Sequence, residues 1–231
     1  MEVTELFTDG KKILEKNIII ATPLVAVGII TSILGLVMMG TIGAGPDMMG
    51  AGGRIPNAFS LGAVIGTSLF LVIMNGILNI IAIGATYVMA SEAIAGRPDL
   101  NSSLARALER FGNLLVTSIL MGMIVFLGTL LLFLPGLVAA YLLMFALLMV
   151  MLDGCGPLDA LKGSFELVKS HIGETLVFVA LALAVIFAAG LLGSLLGKIP
   201  VLGWVILQPL VSGMAMAYLN TVLVLLYREL A

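Results

Sequence analysis

Cysteine and histidine are almost missing from this chain, with Cys155 and His171 the single examples of each. One cysteine excludes an internal disulfide and a cysteine-rich metal site. One histidine leaves no His/Cys cluster at metal-ligand spacing. Charge is nearly as scarce, at 10% of residues, where soluble domains carry about a quarter. That shortage excludes a soluble fold, because the polar coat is too thin and lipid must take its place. A phosphate loop, a nucleophile elbow and paired catalytic carboxylates are all absent. The reading is therefore no enzyme, no catalytic or metal residues and no cofactor. The net charge of −2 comes from charges segregated by membrane side, so no nucleic-acid partner is expected. Ten-residue alternating segments are also lacking, which excludes a transmembrane barrel.

What the chain has is hydrophobicity, at 61% of residues and a mean hydropathy of +1.23. A crossing helix needs roughly 20 apolar residues. Six stretches qualify as spans: Ile18–Ile42, Ala58–Ala90, Leu114–Leu134, Leu137–Leu152, Ile172–Leu196 and Val201–Leu226. The expected fold is all-α, a polytopic transmembrane bundle of six spans in three hairpins, forming one integral membrane domain over 1–231. No cleavable leader is expected, since the apolar run after the charged N-terminus is long enough to be retained as the first span. Leu132-Phe133-Leu134-Pro135-Gly136 interrupts the run from Leu114 to Leu152. As one helix that run would be about 58 Å long, so Pro135-Gly136 is read as a hairpin turn. The second span is too long for an upright crossing and is expected to tilt or to project past the inner surface. Gly43–Pro56 reads as a mobile outer loop.

A unit repeats three times: an amphipathic, charged stretch running into an apolar one, at Leu6–Pro23, Leu100–Ile119 and Leu158–Val177. The copies align on Leu14-Glu15-Lys16, Leu108-Glu109-Arg110 and Leu167-Val168-Lys169. Each hairpin is thus preceded by an inner-face amphipathic helix, over about residues 2–17, 100–112 and 157–171. Leu158, Leu161, Phe165, Val168 and Ile172 make one helical stripe, as do Leu100, Leu104, Leu108, Phe111 and Leu115. With both termini inside, nine cations fall on inner segments, and only Arg54 and Lys198 fall outside. That asymmetry orients the chain and requires an even number of spans.

Lys16, Arg106, Arg110, Lys162 and Lys169 are the candidate contacts for lipid headgroups. Two roles suit the amphipathic helices: a cytoplasmic collar that recruits a partner or anionic lipid, or elbows that turn the chain into the next hairpin. The elbow reading is the simpler. No Asp, Glu, Lys or Arg lies near the middle of a span, whereas ion-coupled transporters usually place a charge there. The candidate polar intramembrane site is Asn75 and Asn79, four residues apart on one helical face, with Gln208 and Asn220 of the last span as expected partners. Such amides serve either as a ligand site or as interhelical glue, and glue is the commoner use. Gly62 and Gly66, and Ala189, Gly193 and Gly197, have the spacing of close helix contacts. His171 reads as a solvated interfacial residue, and Asn101 or Ser102 as a helix cap.

Three segments carry a resemblance: Gly96-Arg97-Pro98-Asp99-Leu100 followed by Ala105-Arg106-Ala107-Leu108; Leu134-Pro135-Gly136; and Asp153-Gly154-Cys155-Gly156-Pro157 running on to Lys169. In this order they resemble a broad set of uncharacterised prokaryotic six-helix membrane families. Those families are similar to the membrane domain attached to some glycerophosphodiester phosphodiesterases. The resemblance implies the fold and the cell membrane of a bacterium or archaeon. It does not imply phosphodiesterase activity, which in those enzymes belongs to a separate soluble barrel. The function expected is a non-enzymatic scaffold, or a subunit that binds membrane lipids and a protein partner or second copy at its cytoplasmic face. The alternative is a small-molecule or lipid transporter with a path near Asn75 and Asn79.

Overall fold

The computed structural model describes residues 3–43 and 58–231, with side chains described outside 37–65. The outer loop at Gly43–Pro56 falls almost wholly outside the described residues, as do the surroundings of Gly62. Regular structure among the described residues is entirely helical. Helix α1 (Val3–Lys16) leads through a 3-10 turn at Ile18–Ala21 into α2 (Thr22–Gly43), and α3 spans Ala58–Ala95. Then follow α4 (Leu100–Glu109), α5 (Phe111–Leu131), α6 (Phe133–Leu142) and α7 (Ala146–Leu152). Next come α8 (Pro157–Ser170), α9 (Ile172–Leu196), a π-type turn at Gly203–Leu207 and α10 (Gln208–Leu230). Six stretches are long and apolar enough to cross a membrane: Ile18–Leu36, Gly66–Ala95, Phe111–Leu131, Phe133–Leu152, Ile172–Leu196 and Gly203–Leu230. The protein is an all-α polytopic membrane bundle.

The hairpin turn lies elsewhere than Pro135-Gly136. The chain reverses at Leu132, the one extended residue between α5 and α6, and the fourth span begins at Phe133 rather than Leu137. Pro135 sits in the first turn of α6, where its missing N–H leaves no helix bond unmade. Gly136 faces α5 so closely that an added Cβ would overlap Thr129 Oγ1, at 2.0 Å. Gly128 approaches the Gly136 backbone at 2.9 Å in the same sense. The pair marks a close helix contact and not a loop.

Burial is concentrated at the end of the bundle where the charged segments lie. On α3 every residue from Gly84 to Ala90 is buried, whereas Leu69, Phe70, Val72 and Ile73 are exposed. Helix α10 is the central strut, with 56% of its most apolar stretch buried against 11% for α5. It contacts α1, α2, α3 and α9. Small residues permit this: Gly213 meets Val25 of α2, and Gly28 meets Pro209. At the opposite end Leu131 and Phe133 are 79% and 74% exposed. Such surfaces are stable only against lipid.

The three amphipathic helices do not all bury their apolar stripe. Helix α1 does, with Leu6 and Leu14 buried and Phe7 against Phe178 and Tyr218. The Tyr218 hydroxyl donates to the Phe7 carbonyl at 2.8 Å. In α4 the buried residues are Ser103 and Ala107, while Leu104 and Leu108 point outward. In α8, Ala160, Leu161, Ser164 and Val168 are buried, and Leu158 and Phe165 are exposed. Small residues on these helices pack on protein because they allow close approach, while Leu104, Leu108, Leu158 and Phe165 are left for an apolar solvent. In α8 the stripe therefore meets protein at Leu161 and Val168 and an apolar solvent at Leu158 and Phe165.

Candidate functional site

Two of the mid-span amides and one hydroxyl are joined by hydrogen bonds. Asn79 Nδ2 donates to the Asn75 carbonyl at 3.0 Å and also contacts Asn75 Oδ1. Thr31 Oγ1 donates to Asn75 Oδ1 at 3.3 Å, joining α2 to α3. Among the described residues no hydrogen bond joins Gln208 or Asn220 to either asparagine. The Gln208 side chain instead lies against Gly193 of α9 and Gly197 just beyond its end. Asn220 Nδ2 is buried without a hydrogen-bond partner. Sequence spacing found the asparagine pair but not Thr31, an apparently ordinary residue in the first span.

A second polar device lies where the fourth span breaks between α6 and α7. At Leu143–Phe145 the helix loosens, and the Phe145 N–H has no backbone acceptor. Ser164 of α8 fills the break: its Oγ accepts from Phe145 N at 3.1 Å and donates to the Leu142 carbonyl at 2.9 Å. Both Ser164 and Phe145 are fully buried. Backbone groups freed in an apolar interior must be paired, and one hydroxyl satisfies a donor and an acceptor here. The signal was present in the sequence, since Ser164 sits between Leu161 and Val168 on the buried face, where a polar residue needs a reason.

At the charged end, the end of α3, the α4–α5 junction, the end of α7 and the end of α10 enclose a cavity of about 440 Å³. Ser91, Arg106, Arg110, Asp153, Tyr227 and Arg228 line it together with the apolar Val88, Met151 and Leu152. Arg110 Nη1 donates to the carbonyls of Val150 and Met151 at 2.9 and 2.7 Å, capping the C-terminus of α7. Gly154 is needed beneath it. Its φ of +73° is left-handed, and a Cβ there would stand 3.3 Å from the guanidinium. Arg228 Nη2 donates to the Ser91 hydroxyl at 2.6 Å and to its carbonyl at 3.2 Å. Tyr227 donates its hydroxyl to the Asp153 carboxylate. Arg106 pairs with Glu92 at 3.1 Å.

Glu92 also accepts from the Asp99 N–H and the Ser103 hydroxyl, each at 3.2 Å, which ties α4 to the end of α3. The cap of α4 is Asp99, not Asn101 or Ser102. Its carboxylate accepts from the backbone N–H groups of Ser102 and Asn101 at 3.0 and 3.4 Å. The Ser102 N–H, foremost, holds the Asp99 carboxyl below the usual carboxylate range.

The proposed headgroup contacts therefore separate. Arg106 and Arg110 face the cavity and are joined there by Arg228, which hydropathy had placed only at the inner rim. Lys162 and Lys169 stand on the exposed side of α8, the latter 5.8 Å over the Phe165 ring, and Lys16 is exposed at the end of α1. His171 Nδ1 lies 3.2 Å from both the Leu167 carbonyl and the Ser170 hydroxyl, a local cap at the end of α8. No group of three or more His, Cys, Asp or Glu side chains suited to a metal occurs among the described residues. No protein family, curated protein or solved structure matches the chain.

Proposed function

We propose that this is a multi-pass cell-membrane protein that binds and does not catalyse, a scaffold or subunit holding lipid and a protein partner at its cytoplasmic face. The observation that carries the reading is the division of labour along the bundle. Packing and fixed charge collect at one end, around a preformed polar cavity, whereas the mid-span asparagines bond to each other and to Thr31. The cation asymmetry puts that end in the cytoplasm. The exposed leucines of α4 and the exposed Leu158 and Phe165 of α8 suit the inner membrane interface.

Transport draws less support, because Asn75 and Asn79, which would line a path, bond to each other and to Thr31 within the α2–α3 pair. Native mass spectrometry of the protein released gently from its own membrane tests the reading. A defined partner or a stoichiometric oligomer with bound lipid is expected. A bare monomer, together with solute flux in liposomes that is lost on substituting Asn75 and Asn79 by alanine, would overturn it.

A further inference from the structure

We propose that the cavity between the ends of α3, α7 and α10 holds the phosphodiester of an anionic phospholipid, with Arg110 and Arg228 as its partners. This rests on the binding reading above and names the ligand of that site. The donors are already in place. Arg110 spends only Nη1 on the α7 carbonyls, and Arg228 spends only Nη2 on Ser91. Each keeps its Nε and its other terminal nitrogen without a partner among the described residues. Neither guanidinium lies within 4.0 Å of a carboxylate among those residues, unlike Arg106, which Glu92 neutralises. A guanidinium edge of this kind matches two oxygens of a phosphate. Because the carbonyls and Ser91 hold both side chains in place, little rotamer freedom remains to be lost on binding.

Charge selects the ligand further. Three arginines stand against Asp153 and Glu92, which leaves one positive charge around the cavity. A phosphodiester with an uncharged headgroup, such as phosphatidylglycerol, carries the one negative charge that balances it. The ammonium of phosphatidylethanolamine would restore the excess. Asp153 offers that ammonium little, since Tyr227 already holds its carboxylate. A lipid is favoured over a soluble phosphate by the surroundings. Val88, Met151 and Leu152 contribute apolar lining to the cavity, and the adjoining α4 presents Leu104 and Leu108 outward, 38% and 53% exposed. Acyl chains would cover those leucines while the phosphate enters between the arginines.

The test is native mass spectrometry of the full chain exchanged into mixed phosphatidylglycerol and phosphatidylethanolamine, with four variants. Arg228→Gln keeps an amide to bond Ser91 and removes the charge. Arg228→Lys keeps the charge and loses the fork. The pair Lys162→Gln and Lys169→Gln removes exposed charge outside the cavity, and Arg110→Gln serves only if it folds. Preferential retention of phosphatidylglycerol is expected in the wild type. It should fall about tenfold in Arg228→Gln, fall less in Arg228→Lys, and persist in the lysine pair. Equal losses in the arginine and lysine variants, or no preference in the wild type, overturn the site. If inorganic phosphate raises the melting temperature as much as phosphatidylglycerol does, a soluble phosphate is the occupant and the lipid assignment fails. Partner retention in the same spectra reports separately on the scaffold reading.

Discussion

Replacing Ser164 by alanine removes one oxygen and leaves two backbone groups without partners. The hydroxyl is the acceptor for Phe145 N–H and the donor to the Leu142 carbonyl, and Ser164 itself is fully buried. Water cannot replace it cheaply at a site this enclosed. Each stranded group costs about 1–3 kcal/mol, so the variant should lose about 2–4 kcal/mol once partial relaxation of the break is allowed. For a chain of this size each kcal/mol moves the melting temperature by about 2–4 °C, so a fall of about 4–16 °C is expected. Thermal unfolding in detergent, followed by the fluorescence of Trp204, measures it. Hydrogen exchange at the Phe145 amide localises it, because that amide should lose protection out of proportion to its neighbours. Ser170→Ala is the comparison. Its hydroxyl bonds to the Glu166 and Leu167 carbonyls and to His171 Nδ1, all within its own exposed helix end, so a change within about 0.5 kcal/mol is expected. If Ser164→Ala melts with the wild type and Phe145 stays protected, the break in the fourth span is satisfied without α8 and the reasoning fails.

Gly136→Ala should drive α5 from α6, since its Cβ would overlap Thr129 at 2.0 Å from Oγ1 and 2.7 Å from N; a loss of about 1–3 kcal/mol is expected. Gly122→Ala, with nothing within 4 Å, should be tolerated, and equal melting curves for the two would refute the close contact. Asn75→Ala removes the Thr31 link between α2 and α3 at about 0.6 kcal/mol, and a drop several times larger would mean the amide does more than join two helices. Asp99 supplies a pH dependence. Its carboxyl is held below its ordinary value, so its support of α4 is fully present above the unfolded carboxylate range near pH 3.9. That support is lost as pH falls through the lower folded value. Amide exchange at Ser102 should accelerate over that acid range relative to the rest of α4, and Asp99→Asn should flatten the response.

Hydropathy and charge are properties of short stretches, so what depends on them was legible in the sequence alone. Six apolar runs became six membrane-length helices, and the three amphipathic segments became α1, α4 and α8. The membrane class follows directly, because a chain with this little charge has no other solvent to face. The Pro135-Gly136 signal misled because proline in a first helical turn and glycine at a close helix contact look the same in sequence as a turn. The amphipathic stripes left their partner open because lipid and protein interior are equally apolar, so periodicity cannot say which of them a leucine meets. Ser164, Thr31 and the cavity arginines belong to the tertiary structure. Arg110 reaches carbonyls 40 and 41 positions away, and Arg228 reaches Ser91 across 137. Those meetings depend on how the helices pack, which small residues such as Gly28 and Gly213 permit. The sequence by itself determined which segments cross the membrane and which end carries the cations; only the packed bundle decided which of those cations share a cavity.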